Sequence, residues 1–452
     1  MFYREIIDQL KIWKDQKNRK PLIIRGARQV GKTTAILMFG KKYFSSVINI
    51  NLDKMEQRRL FEQPLSLDEF ETIIKIHFKT SVSSETLLFI DEIQNSIYLL
   101  KLLRFFKEER PEIPVICAGS LLEVLIAKGG FQIPVGRVTY AYMYPLTFFE
   151  YLKAANKEEL LDYLNNVHLH TDIPKSIHKE FLKEMNIYTL IGGMPEIVNE
   201  YVSSDDYNML PSIYNSLLTG YIEDSYKYTN NSQSKYTQFV IERAPLYAGE
   251  RITYNKFSNS QYRSREISNS FSLLEKVMLL KRINGTVSTN IPIEGRMKMP
   301  PKIIFLDVGL VNKFMGINPV EMLNISDLNN LYRGKIAEQV VGQHLLCQWQ
   351  QQVNIYYWAK PKTQGSAEVD FCFTHNGKLV GLEVKSGKSG KLKSLSEFSK
   401  VVNNSILVRI YAGELTVNNL PLTKKKFLSV PFYLVPKLLQ LLDEFDLIRN
   451  AL

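Results

Sequence analysis

The stretch "PLIIRGARQVGKTT", residues 21–34, decides how the front of the chain is read. It opens with a short apolar run, turns on glycine, and ends where a helix can start. Gly26, Gly31, Lys32 and Thr33 give the spacing G-x-x-x-x-G-K-T. Glycines let the backbone curl until its N–H groups face an anion. The helix behind them turns its positive end to the same point. In such a loop Lys32 neutralises the outer phosphates of ATP, and the Thr33 hydroxyl ligates Mg²⁺. Gln29 and Val30 inside the loop and Thr34 after it complete the expected nucleotide contacts.

A second stretch, "TLLFIDEIQ" (86–94), reads as a buried strand ending in two acids. Asp91 is expected to hold Mg²⁺ through its water shell, and Glu92 to polarise the attacking water. "VICAGS" (115–120) is a third strand, ending in Ser120. Strand C-terminal ends converge on a ligand crevice. Ser120 therefore reads either as a sensor of the γ-phosphate or as the N-cap of the next helix. Arg137, in "IPVGRV", reads as an arginine finger for its own or a neighbouring subunit, or as a structural arginine. Strand and helix alternate through residue 150, which predicts an α/β fold with a largely parallel sheet.

The 452 residues suggest about three domains. With 45% hydrophobic and 23% charged residues the composition is that of an ordinary globular chain. No apolar run approaches the roughly 20 residues that span a bilayer, and no basic amphipathic anchor is evident. The three cysteines, Cys117, Cys347 and Cys372, are too few and too scattered for a disulfide framework or a zinc cluster. The expected location is the cytoplasm. Net charge is +11, and the segment 225–302 alone holds thirteen Lys/Arg against five Glu, a surplus of +8. Concentrated positive charge is the footprint of a nucleic-acid binder, or of a plain solvated surface.

Residues 146–225 carry helical spacing in "LTFFEYLKA" and "EFLKEMNIYTLI", broken by "GGMPE" (192–196). This predicts a helical lid. From about 230, "ITYNKFSNS" reads as a short helix and "SREISNSFSLLEKVMLLKRI" as a longer one. Ile267, Phe271, Leu274, Val277 and Met278 are spaced for its core. A two-strand ribbon follows. That order is the order of a winged helix-turn-helix. Arg263 and Arg265 would start the groove contacts, and Arg296, Lys298 and Lys302 would line the wing.

Near the C-terminus "EVDFCF" and "LVGLEVK" alternate as strands, with "THNGK" as the turn. Pairing would set Asp370 beside Glu383 and Lys385. Two carboxylates can then clamp Mg²⁺ or Mn²⁺ while the lysine orients the attacking water. This is the D-x(n)-E-x-K constellation of PD-(D/E)XK nucleases. Glu338, on the upstream helix "YRGKIAEQVVGQHLLCQW", is the expected extra metal ligand. The alternative is a degenerate nuclease domain kept as a clamp, with Glu383 and Lys385 a simple ion pair.

Taken together, "GARQVGKTT", "LLFIDEIQ", "AGSLLE", "PVGRV", "YPLTFFEYL", "GGMPE", "YRSREI", "IIFLDVGL", "AEVDF" and "LEVKSGK" resemble a bacterial and archaeal family of AAA-type ATPases with a C-terminal domain of unknown function. The resemblance implies an ATPase domain over 1–150, a helical lid over 151–228, a winged helix over 229–315 and an α/β nuclease-like domain over 320–452. It carries over Gly31, Lys32 and Thr33 as nucleotide contacts, Asp91 and Glu92 as Mg²⁺ ligand and catalytic acid, and Asp370, Glu383 and Lys385 as the nuclease motif. Two functions stay open. One is a DNA-binding ATPase with nucleotide-gated, metal-dependent cleavage. The other is an ATP-driven switch whose C-terminal domain only binds DNA or a protein. Homo-oligomers fit either; a membrane partner fits neither.

Overall fold

A computed structural model describes residues 2–119, 136–204, 207–229, 231–318, 334–348, 354–361, 365–387, 392–420 and 425–450. Ser120 lies outside them. The chain forms two compact units, Met1–Pro145 with Lys276–Met278, and Leu146–Glu275 with Leu279–Leu452.

The first unit is built on five short strands: β1 (Leu22–Arg25), β2 (Ser46–Asn51), β3 (Thr86–Asp91), β4 (Val115–Gly119) and β5 (Thr139–Tyr142). Their order is β2-β3-β4-β1-β5, and every pairing is parallel. β3 and β4 are buried at every residue, which is why they read as unbroken apolar runs rather than alternations. Helices Leu67–His77 and Ile97–Glu109 cover one side, burying Phe70, Ile74, Leu103 and Phe106 against Ile48, Ile90 and Val115.

The second unit holds one mixed sheet of eight strands. These are β6 (Leu280–Thr286), β7 (Lys302–Phe305), β8 (Tyr356–Ala359), β9 (Glu368–His375), β10 (Lys378–Val384), β11 (Ser405–Tyr411), β12 (Thr416–Asn419) and β13 (Lys426–Pro431). The order is β12-β13-β11-β10-β9-β8-β6-β7. β9 and β10 form a tight hairpin, because Asn376 and Gly377 supply consecutive positive φ of 46° and 72°. Phe398, from helix Lys393–Val401, packs over Gly381, where an added Cβ would come within 2.6 Å of its ring. Trp358, Val369, Cys372 and Leu395 complete that core.

Three expectations change here. The ribbon read as a wing does form, but β6 also pairs in parallel with β8. Its strands thus belong to the same sheet as the C-terminal hairpin, and the sheet runs across the 315/320 boundary. The long helix stops at Lys276, because Met278 takes a φ of +60° and the chain re-enters as β6. Val277 and Met278 are therefore not core helix positions. "ITYNKFSNS" yields only a three-residue 3-10 turn, Phe257–Asn259.

The stretch read as a separate lid is built into this second unit. Helix Lys175–Ile191 ends at Gly192, and the next amide, Gly193 N–H, donates to the buried Asp307 carboxylate at 2.7 Å. Asp307 also accepts from Gly309 N–H at 2.9 Å and caps helix Val308–Phe314. Asn312 donates to the carbonyls of Thr189 and Leu190. So "GGMPE" and "LDVGL" close on each other. Gly192 must be glycine here: its φ is +73°, and a Cβ would lie 2.1 Å from Asp307 Oδ1.

Candidate functional site

In the first unit the phosphate loop joins β1 to helix Lys32–Tyr43. Gln29 and Gly31 take positive φ of 63° and 92°, which curls the loop as the glycine spacing predicts. Arg4 braces it from outside, donating to the carbonyls of Val30 and Tyr144 at 2.6 Å each. The Val30 side chain is fully buried, so Val30 can offer a nucleotide only its backbone. Gln29 and Thr34 are exposed. Gly26 lies so close to the next segment that a Cβ would meet Met143 O at 2.3 Å.

The Lys32 ammonium is folded into the loop, donating to Gly26 O at 3.0 Å and Ala27 O at 2.8 Å. Burial pulls its pKa down to about 8, against the pull of Glu92 and Asp91 in the other direction. Thr33 Oγ1 donates to Asp91 Oδ2 at 2.7 Å. That pair of oxygen donors at a helix start fits a hard divalent cation. Burial raises the pKa values of both Asp91 and Glu92.

One residue here escaped the sequence reading. Glu92 has a left-handed backbone, φ 51°, and its carboxylate accepts from Gln94 Nε2. Gln94 Oε1 is buried and has no hydrogen-bond partner. It fills the space over Gly119 at the end of β4, where a Cβ would lie 2.4 Å from it. "DEIQ" holds the signal, since a glutamine two residues past the acid can turn back onto it. Gln94→Ala is expected to lower kcat about 10- to 100-fold, the worth of a hydrogen bond to a charged group. KM for ATP should change less than about twofold, because the contact is to Glu92 and not to the loop. Steady-state kinetics check this; a raised KM with unchanged kcat would place Gln94 in the binding pocket instead.

Arg137 lies elsewhere. β5 runs parallel to β1 with Thr139 level with Leu22, so Arg137 sits at the sheet edge opposite the loop. Strand rise puts the two on the order of 15 Å apart. There it pairs with Glu108 at 2.8 Å, near the end of helix Ile97–Glu109. It is not a nucleotide contact within its own chain.

In the second unit the carboxylates do come together. Pairing of Leu382 with Phe371 sets Glu383 one step on, opposite Asp370. Glu338 joins them from helix Lys335–Gln348, and Glu368 from the start of β9. Yet each is engaged by the protein. Lys302 Nζ lies 2.7 Å from Glu338, 3.0 Å from Glu368 and 3.4 Å from Asp370. Asp370 Oδ2 accepts from Val384 N–H at 2.8 Å. Lys385 pairs with Glu383 at 2.5 Å. Among the described residues no group of three or more His, Cys, Asp or Glu side chains is arranged to hold a metal. The donor set does not fit the cation expected there. Lys302, expected on the wing, is instead 3% exposed. Burial lowers its pKa, but Asp370, Glu338 and Glu368 outweigh this and hold the ammonium charged. Burial, then the charge of Asp370, pushes the Glu338 pKa up to about 7.

The basic surplus is also partly spent on ion pairs within the chain. Arg282 chelates Glu275 at 2.7 Å, and Arg251 pairs with Glu368 at 2.5 Å. Lys256, Arg263, Arg265, Arg296 and Lys298 remain exposed.

The AAA domain family matches residues 18–152. Two domains of unknown function, DUF8612 and DUF4143, match residues 182–321 and 333–433. No curated protein matches the chain. Among solved structures, the Thermotoga maritima RuvB Holliday junction branch migration motor is 14% identical, with a TM-score of 0.27, over 62% of this chain and 90% of that one. PCH-2 of C. elegans is 14% identical, with a TM-score of 0.23, over 61% and 69%. The S. cerevisiae Hsp104–ADP complex is 14% identical, with a TM-score of 0.27, over 61% and 38%. These likenesses are too distant to argue from, and the assignment rests on the family match together with the loop, the acids and the parallel sheet. Residues 18–152 are an AAA-type P-loop domain, and the protein that carries it is an ATP-hydrolysing enzyme.

Proposed function

We propose that the protein is an ATP-driven conformational switch whose second unit recognises DNA without cutting it. The observation that carries this reading is the contrast between the two sites. The nucleotide site gathers one lysine, one hydroxyl and two acids around the loop at a helix start, the donor set that phosphates and a divalent cation need. The C-terminal carboxylates are all taken up by lysines and backbone amides.

The chain's own residues divide the work. Lys32 and the loop amides hold the phosphates of ATP. Thr33 and Asp91 would hold Mg²⁺, which would offset charge on the phosphoryl oxygens. Glu92 accepts the proton of the attacking water; its raised pKa makes it a better base than a solvated carboxylate. Gln94 keeps Glu92 aimed. The exposed Lys256, Arg263, Arg265, Arg296 and Lys298 supply phosphate contacts to a DNA duplex. A homo-oligomer gives Arg137 a role only on a neighbour's nucleotide. No helix among the described residues is long and apolar enough to cross a membrane.

The test is DNA affinity as a function of nucleotide state. ATP-loaded Glu92→Gln and nucleotide-free protein should differ at least about fivefold in Kd, the low end of an allosteric coupling free energy of about 1–3 kcal/mol. Replacing both Arg296 and Lys298 by alanine should flatten the slope of log K against log salt by about 1.8, at about 0.9 per lost contact. Equal DNA affinity in every nucleotide state would end the switch reading.

A further inference from the structure

Lys302, expected on the wing but buried, also explains what the carboxylate cluster is for. We propose that the ammonium of Lys302 is the resident cation of Glu338, Glu368 and Asp370, taking the place a divalent metal was expected to hold. This goes beyond the switch reading and does not rest on it.

An ammonium carries three donors, and here three carboxylates face it, at 2.7, 3.0 and 3.4 Å. The Lys302 side chain is 4% exposed, so water does not compete for it. The Tyr357 ring covers another side, 5.6 Å from Nζ, and its hydroxyl is tied to Pro300 O at 2.7 Å. Most of the remaining oxygen capacity is spent. Glu368 gives its other oxygen to Arg251, and Asp370 gives its other oxygen to Val384 N–H. Glu383, the remaining member of the expected ligand set, is held by Lys385 and by Leu395 N–H.

The backbone fixes the ammonium in place. Lys302 opens β7, which pairs with β6 on one side and bridges Ala248 and Arg251 on the other. Gly342, on the helix that carries Glu338, lies against Ile304 of the same strand, where a Cβ would come within 2.6 Å. Withdrawing Nζ would mean a change of rotamer that leaves three carboxylates facing one another. The charges agree. With all three carboxylates ionised, Lys302 and Arg251 leave −1, and a divalent ion added to these would sit against an ammonium. Without Lys302 the balance is three carboxylates against Arg251, or −2, the match for a divalent ion.

The experiment is Mn²⁺ binding to the full chain without nucleotide, read from the electron paramagnetic resonance of free Mn²⁺. Wild type should show no Mn²⁺ site that Asp370→Asn removes. Lys302→Met should gain one such site, at least tenfold tighter than any on wild type, and adding Asp370→Asn should abolish it. Circular dichroism verifies that each variant is folded. A wild-type site lost with Asp370→Asn overturns the proposal, as does a folded Lys302→Met with no site gained. If Lys302→Met does not fold, the comparison of wild type with Asp370→Asn decides alone. Equal binding by the two then supports the proposal, and a site lost with Asp370→Asn overturns it.

Discussion

Lys32→Ala is expected to weaken ATP binding about a thousandfold, since unit charges about 4 Å apart interact by about 4 kcal/mol near a protein surface. The fold should survive. Lys32 is 7% exposed, and its ammonium donates to the carbonyls of Gly26 and Ala27. Its pKa falls from the ordinary lysine value to about 8, so the folded state binds this proton less tightly than the unfolded chain. The buried charge therefore costs stability below pH 8. That cost is relieved as pH rises from about 8 toward the unfolded value of 10.5. Removing Lys32 removes the cost, and the variant should melt no more than a few degrees below the parent at pH 7. Calorimetric titration with ATP and a thermal melt check the two halves. A variant that binds ATP as tightly as the parent would put the nucleotide somewhere else.

The second large effect separates binding from chemistry. Glu92→Gln should keep ATP affinity within a few-fold and slow turnover by about 10²- to 10⁴-fold, the usual worth of a general base. Glu92 sits beside Lys32, and its carboxylate, not its backbone, is what the side-chain network aims. Because burial raises its pKa, wild-type kcat should fall on the acid side at a higher pH than an ordinary solvated carboxylate would give. The protonated form cannot accept a proton, so the loss follows pH downward. In Glu92→Gln that acid limb should disappear. Single-turnover rates across pH beside equilibrium binding would show both; an unchanged turnover rate would remove Glu92 from the chemistry.

The nucleotide site was legible because its parts are contiguous. Gly26 to Thr33 and Asp91 to Glu92 act through neighbours in the chain, and the strands before them are unbroken apolar runs. Gln94 went unread because a glutamine after a strand end has many ordinary uses. The C-terminal hairpin was legible in its turn and its alternation, and the meeting of Asp370 with Glu383 follows from register. The cation that joins Asp370 to Glu338 was not. Lys302 precedes Glu338 by 36 residues and Asp370 by 68, and nothing local to "PPKIIF" says that the lysine points inward. The overrun of the long helix has a local cause: "VMLLKRI" suits helix and strand alike, and only the positive φ at Met278 settles it. The role of Arg137 stayed open in the sequence because a loop position says nothing about which end of a parallel sheet it occupies.

The neighbour relation of β6 and β8 bears on how the chain is made. β6 ends at Thr286 and its parallel partner begins at Tyr356, so the ribosome must add about 70 residues before the pair can form. At 5–20 residues per second that is several seconds during which one side of β6 is an open edge. The nascent chain reaches that stage already carrying a complete first unit, whose five strands all precede residue 145. Synthesis should therefore deliver a finished nucleotide-binding body first, trailed by a half-built sheet that a chaperone has reason to shield.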